Sequence, residues 1–349
     1  MDVKLIDFAC QKIVELCKIP SPSGFTRAAI KQLMDEFCLL GFDTKETNKG
    51  SLLVEIGGQG NPLILAAHVD TLGGMVRAIK GNGRIRLTKI GGYPENNIEG
   101  ENCLVHTRTG KVYSGTIQLL HPSVHVYEDV ATMTRNDSNI EIILDEKVTT
   151  DRLVAELGIC VGDFISFDPR TVYTESGFIK SRHLDDKASV GILLALAKAV
   201  NEKLVIPTRK VYLLFTTYEE VGHGGSSGIP ADAREIISVD MGAVGDDLKT
   251  DEYKVSICAK DSGGPYDYEV TSCLIENAKK KKLNYAVDIY PRYGSDAEAS
   301  LRAGYDLKHA LLGPGIFASH GYERTHREAI ENTLELLVSY ISFTTEVIE

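Results

Sequence analysis

The sequence has no Cys-x-x-Cys pair. Its seven cysteines (Cys10, Cys17, Cys38, Cys103, Cys160, Cys258 and Cys273) are scattered and form no even framework. Three of them, Cys10, Cys17 and Cys38, fall in apolar N-terminal helix patterns and are expected as buried free thiols, as suits a reducing compartment. No apolar run approaches the roughly 20 residues that a membrane-spanning helix needs. The opening MDVKLIDFACQKIVEL is amphipathic and carries acids, unlike a secretory signal. Positive charge is in deficit: 38 Lys and Arg against 49 Asp and Glu leave a formal charge of −11. That argues against nucleic acid or an anionic membrane as the main partner. There is no internal repeat and no low-complexity tract. The expectation is a cytoplasmic protein of enzyme size.

What is present is enough chain for roughly two domains, with 43% hydrophobic and 25% charged residues over 349 positions, ordinary values for a globular protein. Helical spacing predicts a first helix over 3–18. Pro20-Ser21-Pro22-Ser23-Gly24 ends it, and Ser23 is placed to cap a second helix through Leu39. Residues 42–48 and 51–57 alternate around Asn48-Lys49-Gly50 as a hairpin. Leu63–Ala67 is a buried strand running into His68-Val69-Asp70. From Met75 to Ile165 short alternating segments separated by glycines predict a small all-β, barrel-like module, with one short helix over 149–157. Phe164–Phe167 and Thr171–Lys180 are expected as strands that return the chain to the first domain. A helix over 185–202 starts with acids, where its dipole favours negative charge. Strands follow at 209–217 and 235–240, helix at 278–283, strand at 285–290, a short helix from Gly294 to Arg302, strand at 307–312 and a closing helix over 326–346. The fold class is therefore α/β with a mixed sheet. It comprises a domain of residues 1–74 and 166–349 and an inserted β module of residues 75–165.

The most informative stretch is Val211-Tyr212-Leu213-Leu214-Phe215-Thr216-Thr217-Tyr218-Glu219-Glu220-Val221-Gly222-His223-Gly224-Gly225. An apolar, doubly buried strand ends in two glutamates and a glycine turn. Neighbouring strand residues point to opposite faces, so Glu219 and Glu220 serve different purposes unless the backbone bends. Carboxylates at the end of a buried strand are costly without a cation or a proton. One can bind a metal while the other moves a proton. The turn lacks the Lys-Ser/Thr of a phosphate loop, which argues against phosphate binding. His68, Asp185, Glu220, Asp240 and His320 all fall just after a strand or at a helix start. Ligand sites of open α/β sheets lie at such strand ends. Mixed imidazole and carboxylate donors suit zinc, cobalt or manganese better than calcium or magnesium. One shared carboxylate lets five residues hold two ions with room left for water or substrate.

Each residue also has a plainer reading. His68 alone would be a satisfied core histidine, although the His-x-Asp spacing lets Asp70 orient its ring. Asp185 and Asp186 alone would be helix-start acids, and Asp240 a cap. His326 competes with His320 but is better read as an ordinary residue at a helix start. His183 and His223 stand near enough to support ligands or face substrate, whereas His106, His121 and His125 belong to the β module as structural or exposed residues.

The ordered set AHVDTLGG, HLDDKASVG, YEEVGHGG, ISVDMG, GSDA and ASHGYER resembles the tetrahedral, glutamyl-aminopeptidase-like metallopeptidases over essentially the whole chain. The resemblance implies a two-metal aminopeptidase in which Asp185 bridges the ions. His68 and Asp240 would complete one site, and Glu220 and His320 the other. Glu219 would be the general base, Asp70 would orient His68, and the Asp185–Asp186 peptide would be cis. It further implies zinc or cobalt as cofactors, with manganese also possible, and peptides with free N-termini as substrates. The β module would serve dimerisation and assembly, building dimers into a tetrahedral dodecamer. Asp296 in the GSDA segment is left open between a pocket-lining acid and the first acid of a helix. The sequence departs from many members at Lys187, where Arg is usual. It also has His320-Gly321-Tyr322 in place of His-Ser-Pro, and a turn containing His223 and two glycines. None of these removes a ligand. The alternatives are a related two-metal amidohydrolase (a dipeptidase, carboxypeptidase or deacylase) or a metal-binding scaffold without turnover, against which the intact Glu219 speaks.

Overall fold

The computed structural model describes residues 2–342. Its centre is the strand Leu63–His68, every residue of which is buried. Side chains alternate across a strand. Leu63, Leu65 and Ala67 therefore enter the large core on one face of the sheet, and Ile64 and Ala66 a smaller one on the other. Val211–Thr216 and Glu235–Val239 flank it in parallel, and Lys308–Ile316 continues in parallel beyond Glu235–Val239. Thr44–Glu46 and Leu52–Gly57 extend one side in antiparallel pairings. Val255–Lys260, antiparallel to Lys308–Ile316, and Tyr285–Ile289 complete the other. The sheet is mixed, as the sequence predicts. Helices Val3–Cys17, Leu184–Asn201, Tyr268–Lys281 and Arg327–Ile341 cover the larger core. Asp296–Arg302 lies on the other face.

The chain leaves this sheet after His68 and forms a closed barrel. Its strands run in the order Gly73–Ile79, Ile85–Ile90, Ile140–Leu144, Val112–Leu119, Asn102–His106 and Phe164–Phe167. The barrel has its own core around Val76, Ile85, Val105, Ile117, Ile142 and Ile165.

Several local expectations are corrected. Phe164–Phe167 does not return to the first domain; it pairs with Asn102–His106 and Gly73–Ile79 and closes the barrel. The second helix begins at Arg27 after Thr26, and Ser23 does not cap it. The Ser23 hydroxyl instead donates to Asp70 at 2.5 Å. Cys38 is exposed, whereas Cys10 and Cys17 are buried as expected. The helix read at 278–283 begins at Tyr268, where the Asp267 side chain caps it by accepting from Val270 N–H. In its first two turns only Tyr268 and Glu269 are exposed; Val270, Thr271 and Leu274 are buried. Residues 171–180 form a short hairpin, Val172–Tyr173 with Phe178–Ser181, which pairs with Glu323–His326 outside the main sheet. The closing helix spans Arg327–Ile341, and the remainder of its predicted range beyond Ser342 lies outside the described residues.

Gly313 shows how tightly the strands that carry the site approach. A Cβ added there would stand 1.8 Å from the carbonyl oxygen of Asp240. Asp240 N–H in turn donates to Leu312 O at 2.9 Å. Gly313→Ala is therefore expected to lower stability by about 1–3 kcal/mol, the usual cost of overpacking, as a lower midpoint in urea unfolding.

Candidate metal centre

The parallel strands share one end, and the site forms there. His68 is the last residue of Leu63–His68, and Asp240 directly follows Glu235–Val239. After Val211–Thr216 the chain bends: Tyr218 takes a left-handed φ of 72°, and Glu219–Val221 form one short helical turn. The bend decides how the two glutamates are used. Asp185 comes from the first turn of helix Leu184–Asn201, and its peptide bond to Asp186 is cis. His320 sits in the turn after Lys308–Ile316, with φ of 63°.

Five sequence-predicted ligands come together as two groups that share one member. His68, Asp185 and Asp240 present donor atoms within 4.8 Å of one another, and so do Asp185, Glu220 and His320. His68 Nε2 lies 3.2 Å from Asp185 Oδ1, and His320 Nε2 lies 3.4 Å from both Asp185 Oδ2 and Glu220 Oε2. Glu219 belongs to neither group, but its Oε2 is 3.7 Å from His68 Nε2.

The ring of His68 is oriented by its other nitrogen. Nδ1 is 2.9 Å from the Asp70 carbonyl oxygen, so Nδ1–H donates there and Nε2 faces the carboxylates. The Asp70 carboxylate is farther from the ring, at 3.6 Å. Its own partners are Ser23 Oγ and the backbone N–H groups of Glu219 and Glu220, at 3.1 and 3.3 Å. Asp70 thus ties the ring of His68 to the turn that carries both glutamates. His320 Nδ1–H donates to the Gly92 carbonyl, again turning Nε2 inward.

Several supporting residues had no role in the sequence reading. Ser319 Oγ donates to Asp185 Oδ2 at 3.0 Å, and Glu323 accepts from the backbone of Asp185 and His320. Both lie within the ASHGYER segment, so adjacency to His320 was the only available signal. Asp186 is fully buried; one oxygen accepts from His68 N–H at 3.2 Å and the other has no partner. Asp296 meets the helix-start reading left open for it. It is the first residue of its helix, and it is buried against the Gly224–Gly225 turn with Thr216 Oγ1 donating to it at 2.5 Å. His223 stacks on Tyr218 in an exposed position. His183 is buried immediately before Leu184, and burial together with Lys187 and Arg182 holds its imidazole well below the usual range. His326 caps the last helix by accepting from Glu328 N–H, outside the site. His106 is buried against Ser166, and His121 stacks on Tyr127, both in the barrel.

So many buried carboxylates cannot all carry charge. Burial and the neighbouring Asp185 push Asp240 up to about 7, and burial holds Glu219 and Glu220 well above the carboxylate range. The imidazoles respond in the opposite sense. Burial, the largest single effect, would lower them, but hydrogen bonding to Asp185 and the negative charge of the neighbouring carboxylates together outweigh it, raising His68 strongly and His320 to about 10. These shifts describe one condition: the pocket seeks positive charge. Divalent ions among imidazole and carboxylate donors satisfy it, so the residues fit a metal centre.

Residues 50–336 match the sequence profile of the family described as M42 glutamyl aminopeptidase. The chain belongs to this family. It is 47% identical to the "Putative aminopeptidase YhfE" of Bacillus subtilis, over 94% of this chain and 96% of that protein. The glutamyl aminopeptidase of Lactococcus lactis is 26% identical over 62% of this chain and 61% of its own length. Among solved structures, the Desulfurococcus kamchatkensis aminopeptidase superposes with a TM-score of 0.86 at 21% identity, covering 97% of this chain and 95% of that one. Pyrococcus horikoshii TET1 does so with 0.84 at 23%, covering 96% and 100%. At these identities the structural likeness speaks to the fold. As an M42 aminopeptidase the chain belongs to a family of metal-dependent peptidases, and the donor groups described above supply metal-binding residues.

The raised groups set a pH dependence for the metal-free chain. A group whose pKa is higher folded than unfolded contributes stability that is lost as pH rises between the two values. For Asp240 that window runs from 3.8 to about 7, and for His320 from 6.5 to about 10. Both act in the same direction. The thermal midpoint of chelator-treated protein is therefore expected to fall as pH is raised from about 6 to about 9, measured by circular dichroism at constant ionic strength.

Proposed function

We propose that the chain removes the first residue of peptides with free N-termini, using two divalent metal ions, zinc or cobalt with manganese as a third choice. His68, Asp185 and Asp240 would hold one ion, and Asp185, Glu220 and His320 the other. When bound, the ions lower the proton affinity of water and polarise the scissile carbonyl. The single observation that carries this reading is the pair of donor groups sharing Asp185, with an unshared glutamate beside them.

Glu219 is the general base. Its carboxylate lies at the edge of the cluster, 3.7 Å from His68 Nε2 and outside both donor groups, so it is free to accept a proton and return it to the leaving amine. Asp70 is a positioning residue, because its carboxylate takes the backbone N–H of Glu219 and its carbonyl takes the ring N–H of His68. The catalytic domain comprises residues 1–74 and 166–349, and the inserted domain of residues 75–165 serves dimerisation and assembly. Chains pair and combine into a tetrahedral dodecamer. The support lies in the solved relatives: a PhTET1-12s structure is described as a dodecamer, and Pyrococcus horikoshii TET1 as assembling into a tetrahedron or a large octahedral shell. Seven free cysteines support a cytoplasmic location. Among the described residues no helix is long and apolar enough to cross a membrane.

The test is release of the N-terminal residue from a mixed peptide set by metal-stripped protein, before and after zinc or cobalt is added. Release is expected only with metal and only from free N-termini, and Glu219→Gln is expected to retain metal while kcat falls by about 10²–10⁴-fold. Cleavage of acetylated peptides would favour the amidohydrolase reading. Full activity of the Gln variant would remove Glu219 from the mechanism.

A further inference from the structure

We infer that Glu323 is a positioning residue for the half of the centre formed by Glu220 and His320, acting through the backbone of two ligand residues. The inference rests on the two-ion reading above. Glu323 is 2% exposed, at the start of the strand Glu323–His326. Its Oε2 accepts from Asp185 N–H at 3.1 Å, and its Oε1 from His320 N–H at 3.0 Å. One carboxylate thus spans two chain segments far apart in sequence, each delivering a ligand.

This arrangement is poorly explained by fold stability alone. No described Lys or Arg pairs with Glu323, and the side chain stands close to Asp185, another carboxylate. Burying a carboxylate without a cation is expensive, and apolar filling is usually as stable or more so. Its value lies in geometry. Two convergent N–H donors require two acceptors on one rigid group; a carboxylate offers both, whereas an amide offers one acceptor and would point its NH₂ at the second donor.

The two halves of the centre differ in how much they depend on this contact. His68 is the end of a fully buried strand and is fixed through Asp70, and Asp240 is anchored by Leu312 O and by Met241 N–H, which donates to its Oδ1 at 2.6 Å. His320 has no such strand. It lies in a turn where Ala318 and His320 both take left-handed φ, 59° and 63°, a conformation that non-glycine residues hold only when their surroundings enforce it. Its side chain is 35% exposed. The enforcing contacts are Glu323 on its N–H, Asn97 Nδ2 donating to its carbonyl at 2.9 Å, and the Gly92 carbonyl on its ring. Of these, Glu323 alone also holds the shared Asp185.

The experiment is cobalt(II) titration of metal-stripped protein, followed by visible absorption, for wild type, Glu323→Gln, Glu323→Ala and Glu323→Asp. Thermal midpoints of the metal-free forms are measured alongside. Two uptake steps are expected for wild type. In the Gln and Ala variants one of the two steps, that of the Glu220–His320 half, should lose about 10–100-fold in affinity, the range for partners that orient metal ligands, while the other loses less. The Asp variant, which keeps both oxygens, should recover part of the loss. Unchanged affinity of both steps in a folded Gln variant would overturn the inference. So would parallel weakening of both steps that tracks a fall in the metal-free midpoint, since that marks a merely structural role. Failure of wild type to take up a second ion would instead overturn the two-ion reading, and this inference with it.

Discussion

Like charge gathered in a largely buried pocket is the constraint on which the rest of the structure depends. Asp185, Asp186, Asp240, Glu219 and Glu220 meet two imidazoles at the carboxyl ends of parallel strands, with Asp70 and Asp296 close behind. Isolated, such a cluster is repulsive and poorly solvated, and the raised carboxyls and raised imidazoles are two responses to the same deficit of positive charge. A fold that tolerates it must be over-determined elsewhere. The fully buried strand Leu63–His68, flanked on both sides by parallel strands, provides that rigidity.

The candidate ligands are held largely through backbone contacts to their neighbours. Asp70 binds the amides of Glu219 and Glu220, Met241 N–H meets Asp240, and Asp186 accepts from His68 N–H. Each contact uses a main-chain group that the end of a strand or helix leaves unpaired. The barrel also takes part. Gly92 and Asn97, in its connection between Ile85–Ile90 and Asn102–His106, contact the ring and the carbonyl of His320. The candidate metal centre is therefore built by both the sheet and the barrel.

Much of this was legible in the sequence, and for identifiable reasons. Doubly buried parallel strands are continuous apolar runs, so Leu63–Ala67 and Val211–Phe215 announce themselves and place His68, Glu219 and Glu220 at their ends. Strand Val255–Lys260 was missed because its run, Val-Ser-Ile-Cys-Ala-Lys, is short and mixed. Glu323–His326 was missed because all four of its residues are polar or charged, although three are buried by tertiary contacts that no periodicity shows. Ser23 was misassigned for a similar reason: a serine before a helical pattern looks like a cap, and only the fold brings Asp70 to it. Glu323 and Ser319 carried no signal beyond adjacency to His320, because the Asp185 they also support is 138 and 134 positions away. Candidate ligands at strand ends have a sequence signature, whereas the residues that orient them, Asp70 in its His-x-Asp spacing excepted, have none.

The central claim is that one carboxylate, Asp185, is shared between two metal sites. The most direct test is the number of zinc ions retained per chain after equilibrium dialysis, for wild type and Asp185→Asn. The account predicts two ions for wild type and loss of both in the variant at concentrations that saturate wild type. Retention of two ions by Asp185→Asn would contradict it.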